Sequence, residues 1–394
     1  MSNNAEIKLS AMLLLLACGQ ILLADVKQDI RSLAGAPAKI AWLQETGTNK
    51  YKMLGFDTED NSGERVIEDE VQYYCLPLIT YDGSRIVYTD RGNKKVYVIN
   101  WNGSGKKLIT SGIALDYWAD ASTGKEWIYV VPDYAKTVKP VKRFQIDKPS
   151  VSELIWDKTS VSYCFFIISG DGKRAGGCFP WSDCGLGVLP NKSWKKFGTG
   201  CFASISPDEK YNVWIFDGLH RNVTMYNKDG KNLGKVDIHS APGIKGWEIY
   251  WPRWSNKTRF MTMVGPYTGG SSGSCDNHNC GNKIGAGGDD IEVYLGKFNA
   301  GLSEIEKWVK VTNNSKEDIA PDAWIANATS VNRRAGTGFC RLAPALLSSR
   351  KYPPAARAYT LRGQLIHSAV NVQNGLVLLQ YSNSLDYYKM GQLK

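Results

Sequence analysis

Short apolar runs separated by tight polar turns recur along most of this chain. The clearest copy is Leu76-Pro-Leu-Ile-Thr-Tyr-Asp-Gly-Ser-Arg-Ile-Val-Tyr-Thr89, followed by Lys95-Val-Tyr-Val-Ile-Asn-Trp-Asn-Gly-Ser104. It reads as an apolar strand, a turn that tolerates positive φ at Asp-Gly, a β-branched and aromatic strand, a polar link and a third strand. Related turns occur at Thr123-Gly124-Lys125, Ser169-Gly-Asp-Gly-Lys173, Ser206-Pro-Asp-Glu-Lys210 and Trp254-Ser-Asn-Lys257. From Asp82 to Gly124, Asp171, Asp208 and Asn256 the successive intervals are 42, 47, 37 and 48 residues. That period is close to one propeller blade.

The pattern predicts an all-β fold, a six-bladed β-propeller over 36–328 with a small β segment after it. Expected blades lie near Ile40 to Asp69, then 75–111, 112–149, 150–197, 198–242 and 243–314. Ala320-Pro-Asp-Ala-Trp-Ile325 has no partner nearby, so it is expected to close the ring on the first blade and remove two open edges. A two-sheet sandwich is the competing arrangement for strands at this spacing. Ser206-Pro-Asp-Glu-Lys210 resembles the Ser-Pro-Asp-Gly-Lys signature of TolB-like and PD40 (WD40-like) propellers. The other copies lack the Pro, and those at Gly124 and Asn256 lack the Asp. The resemblance implies a six-bladed propeller; the family contains scaffolds, receptor partners, sensors and some enzymes, so it implies no particular chemistry.

Composition agrees: 394 residues with 39 Gly, 13 Trp and 20 Tyr favour strands and turns. The one apolar run of near-membrane length, Leu9 to Leu23, follows Lys8 and precedes Ala24, so 1–24 reads as a secretory signal peptide. A membrane anchor and lipoprotein processing at Cys18 (Leu15-Leu16-Ala17-Cys18) are the alternatives, and no other span is expected. Signal removal leaves eight cysteines for an oxidising compartment: periplasmic, outer-membrane-associated or extracellular. Cys178 with Cys184 and Cys275 with Cys280 suit small-loop bridges; Cys164–Cys201 and Cys75–Cys340 would pair by default.

Charge is unevenly placed. Residues 329–394 hold nine Lys and Arg against the single acid Asp386, most of the chain's net +10. The excess therefore sits in a tail and not on a folded groove, which argues against a nucleic-acid partner. Within that tail Ala358-Tyr-Thr-Leu-Arg-Gly-Gln-Leu-Ile-His367 and Asn374-Gly-Leu-Val-Leu-Leu379 read as strands. They resemble C-terminal sorting domains of type IX secretion, although Thr360 and Val377 depart from that pattern. A Gly- and Ser-rich insertion, 265–288, carries Cys275-Asp-Asn-His278-Asn-Cys280, read as a disulfide more readily than a metal site.

Four His, none at metal-ligand spacing, and the absence of phosphate-loop, dinucleotide and Gly-x-Ser-x-Gly motifs point to no metal and no cofactor. The densest aromatic cluster is Gly246-Trp247-Glu-Ile-Tyr250-Trp251-Pro-Arg253-Trp254. Strict alternation would put Trp247, Ile249, Trp251 and Arg253 on one face, and Glu248, Tyr250 and Trp254 on the other. Trp247, Trp251, Arg253 and Trp254, with Asp217 and His220 of the Phe216-Asp-Gly-Leu-His-Arg221 turn, form the candidate ligand-binding set; packing between blades is the competing role. The expected function is a monomeric, non-catalytic propeller binding a glycan or an envelope protein through its axial pocket or loops. The alternatives are a polysaccharide lyase or glycosidase, with Asp116, Asp120, Asp217 or Glu248 as carboxylates, and a periplasmic scaffold.

Overall fold

The computed structural model describes residues 26–73, 75–133, 137–161, 166–244, 246–267 and 291–327, and the backbone of four short strands between 357 and 386. The expected signal peptide, 1–24, and Cys164, Cys275, Cys280 and Cys340 lie outside the described residues.

Six four-stranded antiparallel sheets make up the larger unit. Blade 1 combines β1 (Ala38–Gly47), β2 (Lys50–Asp57) and β3 (Glu64–Gln72) with β24 (Asp318–Ile325). Blade 2 holds β4 (Leu78–Ile79), β5 (Arg85–Asp90), β6 (Lys95–Asn100) and β7 (Lys107–Ser111). Blade 3 holds β8 (Ile113–Ala119), β9 (Glu126–Val131), β10 (Val141–Gln145) and β11 (Ser152–Trp156). Blade 4 holds β12 (Ile167–Ile168), β13 (Arg174–Cys178), β14 (Asp183–Val188) and β15 (Ser193–Thr199). Blade 5 holds β16 (Phe202–Ile205), β17 (Val213–Phe216), β18 (Asn222–Tyr226) and β19 (Asn232–Asp237). Blade 6 holds β20 (Glu248–Trp254), β21 (Phe260–Tyr267), β22 (Glu292–Phe298) and β23 (Ile305–Lys310).

The innermost strands pack in a closed cycle, β24, β4, β8, β12, β16, β20 and back to β24. The fold is a six-bladed β-propeller. Its ring is closed as expected, by β24 pairing antiparallel with β1 (Ala38 opposite Ile325, Ile40 opposite Ala323). Joining the last strand to the first blade leaves no unpaired inner edge. One blade boundary differs from the sequence expectation. Ser152–Trp156 is the outer strand of blade 3, paired with β10, and does not open blade 4. Its Ile155 and Trp156 are buried while Ser152 to Leu154 face solvent, as on an outer edge.

The five turns found in the sequence all join the first strand of a blade to its second, on one rim that we term the lower face. In three of them, those of blades 2, 4 and 5, the repeated residues do the same work. Ser169 and Ser206 donate to the carboxylates of Asp171 and Asp208, which accept the backbone N–H of Lys173 and Lys210. Thr80, Asp82 and Ser84 reproduce the arrangement in blade 2. These hydrogen bonds outweigh burial and hold the carboxyls of Asp82 and Asp171 below the usual range.

The core is one large apolar mass that includes Trp42, Trp156, Trp214 and Trp308, each fully buried, and a smaller cluster of blades 4 and 5 that includes Ile167, Leu186, Ile205 and Ile215. A helix at 26–34 adds Ile30 and Leu33 to it. Among the described residues no helix is long and apolar enough to cross a membrane. A second unit, Asn332–Lys394, contains β25 (Arg357–Tyr359), β26 (Leu365–Ile366), β27 (Leu378–Tyr381) and β28 (Ser384–Asp386) in the order β26-β25-β27-β28.

Candidate functional site

Three innermost strands place charged side chains on the propeller axis, and each does so through the same backbone device. In β8 one extra residue, Leu115, is accommodated between Ala114 and Asp116. In β20 the register slips by one between Tyr250 and Arg253, and in β24 between Ile319 and Asp322. Each is a β-bulge, which re-aims the residue that follows it. Trp251 and Ala320 take positive φ (51° and 52°), and Pro252 and Pro321 follow them, supplying no N–H that the interrupted ladder would strand. The strict alternation expected for Trp247 to Trp254 is therefore broken at Trp251.

The three re-aimed residues meet. Arg253 donates from Nη2 to Asp116 Oδ1 at 2.8 Å and from Nε to Asp322 Oδ1 at 3.0 Å. The second oxygens accept backbone N–H groups of the flanking blades: Ile168 N donates to Asp116 Oδ2 at 2.6 Å and Ile79 N to Asp322 Oδ2 at 2.9 Å. One triad thus ties blades 1, 2, 3, 4 and 6 at the axis. Burial pushes the carboxyls of Asp116 and Asp322 up against the pull of Arg253. Burial also opposes the guanidinium charge, but the two carboxylates overcome it and hold Arg253 protonated. In so dry a place, removing one partner costs about 3–5 kcal/mol.

Blade 5 contributes no charge to this cluster. Its innermost strand offers Ser204, 3% exposed, whose hydroxyl has no hydrogen-bond partner among the described residues. Ser204 and Arg253 are the polar members of a small pocket enclosing about 20 Å³, room for about one water. Leu76, Ile167, Phe202, Ala203, Trp251 and Pro252 form the rest of its wall. Leu76, Ile167 and Phe202 lie where innermost strands begin, so the pocket belongs to the upper half of the axis, opposite the Ser/Thr-Asp turns.

The remaining candidates surround that region or lie away from it. Trp251 is buried against Phe202 and Tyr250 at ring distances of 5.7 Å. His220, at φ 59°, stacks on Phe216 and faces Tyr250, each 5.2 Å away, with Cys201 Sγ 3.7 Å from its Nε2. Burial holds His220 neutral, lowering its pKa to about 4 despite Glu248 and Asp217. Asp217 caps its own turn, accepting from Arg221 N and Asn222 Nδ2. Glu248 pairs with Arg221 at 2.9 Å. Trp247 packs against Tyr294 and closes over Gly265. Trp254 sits at the lower end, its Nε1 donating to Thr258 O and its ring among Trp214 and Phe298. That is a packing role between blades.

Trp181 was not singled out by sequence. It lies in the turn between β13 and β14, and Cys178 and Cys184, directly opposite each other, are bridged beneath it. The indole is 60% exposed while its Nε1 donates to Cys201 O at 3.3 Å. Leu219, 65% exposed, occupies the equivalent turn of blade 5. The only sequence signal for Trp181 was its position between two closely spaced cysteines. Cys75, by contrast, is a buried free thiol whose pKa burial pushes up to about 12.

The four carboxylates considered for hydrolysis fall at three different places. Asp116 is locked in the axial triad, Asp120 caps an exposed lower turn, and Asp217 and Glu248 serve the upper turn of blade 5. Among the described residues no group of three or more His, Cys, Asp or Glu could hold a metal ion.

No family model matches the chain, and no curated protein matches it. Similar solved structures exist. TolB from Acinetobacter baumannii is 12% identical, with a TM-score of 0.49 over 75% of this chain and 69% of that one. A protein of unknown function from Bacteroides caccae is 10% identical, with a TM-score of 0.44 over 74% of this chain and 100% of that one. A luciferin-regenerating enzyme is 10% identical, with a TM-score of 0.42 over 70% and 95%. The propeller assignment rests on the six sheets and their closed cycle of inner strands.

Proposed function

We propose that this protein is an exported, non-catalytic propeller that binds a glycan on its upper face. The observation that carries the reading is the pairing of a locked axis with an aromatic rim. Asp116 and Asp322 are each satisfied by Arg253 and a backbone amide, so neither is positioned as a general acid or nucleophile. Above them, Trp181 stands exposed in the turn of blade 4 and Trp247 half-buried at the start of blade 6, with Phe202 and Trp251 packed on each other. Aromatic faces stack on the apolar faces of sugar rings, and a loop pinned by a disulfide loses little freedom on binding. The Cys178–Cys184 bridge supports an oxidising compartment, in keeping with the signal peptide expected at 1–24. On this reading the basic segment 329–394 serves export and not ligand binding.

The test is a glycan array probed with the full chain and with Trp181→Ala, run beside a turnover assay on a polysaccharide panel. The expected outcome is array binding that falls at least ten-fold in Trp181→Ala, without turnover. Steady release of reducing or unsaturated ends by the wild-type chain would contradict it.

A further inference from the structure

We infer that Asn102 is an acceptor for N-linked glycosylation, so that the exported chain carries a glycan on its lower face. The acceptor pattern Asn-x-Ser/Thr begins at Asn102, Asn191, Asn222, Asn256, Asn313 and Asn327. The structure sorts these by what each carboxamide already does, because transfer needs a surface side chain whose Nδ2 is not engaged. Asn191 Nδ2 donates to Asp157 Oδ1 at 2.6 Å, Asn222 Nδ2 to Asp217 Oδ2 at 2.9 Å and Asn256 Nδ2 to Ile325 O at 3.0 Å. All three are half-buried. Asn313 and Asn327 turn Oδ1 to the ammonium groups of Lys310 and Lys257.

Asn102 differs. It is exposed, in the turn between β6 and β7. Its Oδ1 accepts Ser104 N at 3.1 Å and Ser104 Oγ at 2.7 Å, while its Nδ2 has no hydrogen-bond partner among the described residues. With Oδ1 held against the turn, Nδ2 is left to solvent, and the hydroxyl of the pattern already sits on its own Asn. The turn itself does not require this Asn. Asn100 N donates to Ser104 O and Gly103 N to Asn100 O. In blade 5 the matching bonds run from Asn227 N to Lys231 O and from Gly230 N to Asn227 O, with Asp229 in the place of Asn102. Gly103 suits the middle of the pattern, at φ 81° and with Ile67 O 2.9 Å from where a Cβ would stand. This turn lies on the lower face, so a bulky glycan there leaves the aromatic rim open.

The step joins Asn102 Nδ2 to the anomeric carbon of an oligosaccharide carried on a polyprenyl diphosphate. The bond from that carbon to the diphosphate oxygen breaks, the polyprenyl diphosphate leaves, and one Nδ2 proton passes to a base of the transferase. The inference rests on export and is independent of what the upper face binds. The experiment is mass spectrometry of intact glycopeptides from the full chain, recovered from its native host and fragmented so that the modified residue is placed. A glycan is expected on Asn102 and none on Asn191, Asn222 or Asn256. Ser104→Ala should abolish the modification and Ser104→Thr should retain it, with both variants folded by circular dichroism. An exported chain bare at Asn102, or modification there that survives Ser104→Ala, overturns the assignment and leaves export standing. Modification of Asn191, Asn222 and Asn256 as full as that of Asn102 overturns the selection by free carboxamide. A bare chain confined to the cytoplasm overturns export as well.

Discussion

The indole of Trp118, at the end of the first strand of blade 3, lies flat against Gly172 in the turn of blade 4. A Cβ at 172 would stand 2.6 Å from its ring carbons, and the indole N–H donates to Gly170 O at 2.9 Å. Trp324 repeats the contact on Gly83 of blade 2, at 2.8 Å, and donates to Tyr81 O. Glycine is required at both positions twice over, for its positive φ (72° and 71°) and for the ring above it. Gly172→Ala should therefore cost about 2–4 kcal/mol, more than the strain of positive φ alone, which is about 1–2 kcal/mol. Urea unfolding followed by tryptophan fluorescence measures it, and a loss below about 1 kcal/mol would show that the blade interface yields.

Arg253→Met should be among the most destabilising single changes, at about 3–5 kcal/mol, because it leaves two carboxylates buried without a counter-charge. Replacing Asp116, Arg253 and Asp322 together by apolar residues of similar size should restore most of that loss. Chemical denaturation of the single and triple variants decides it. A triple variant as unstable as Arg253→Met would mean that the backbone caps on Ile79 and Ile168 matter more than the charges.

Two buried groups titrate with opposite signs. Burial, opposed by hydrogen bonds from Gln44 and Asn314 and reinforced by nearby Glu292, raises Asp318 to about 6. Its folded-state pKa lies above its unfolded value, so the penalty for ionising it is present above about pH 6 and fades as pH falls towards 3.8. His220 is the reverse. With its pKa lowered to about 4, it contributes stability that is present above 6.5 and lost as pH falls through that window. Relative to wild type, Asp318→Asn should gain stability as pH rises from 4 to 7, whereas His220→Phe should gain as pH falls from 6.5 to 4. Denaturation midpoints at four pH values test both slopes; parallel profiles would contradict the burial argument.

Cys75 should escape alkylation in the native state. It is 1% exposed, with its pKa pushed up to about 12, so almost no thiolate forms at pH 8. Iodoacetamide labelling read by peptide mass spectrometry should modify it only after denaturant is added. Rapid native labelling would show that the first strand of blade 2 opens.

The fold was readable wherever one short segment carries a complete physical instruction. Ser206, Asp208 and Lys210 hold their own turn, so the repeat survives as local spelling. The closing strand announced itself because Ala320 to Ile325 is apolar and has no hairpin neighbour. The third blade was misread at its outer strand, where Ser152 to Leu154 face solvent and carry little apolar signal. The axial triad was out of reach for a different reason. Arg253 stands 137 residues from Asp116 and 69 from Asp322, and each follows a bulge that breaks the alternation used to assign faces. Ser204 and Trp181 gain meaning only from what surrounds them in space.

Hydrogen exchange on the full chain, with and without a saturating glycan taken from the array, tests the central claim most directly. The account predicts new protection in 178–184, 202–205 and 247–253, and none in the lower turns at 80–85, 169–174 and 206–212. Protection confined to those lower turns, or spread evenly over all six blades, would contradict it.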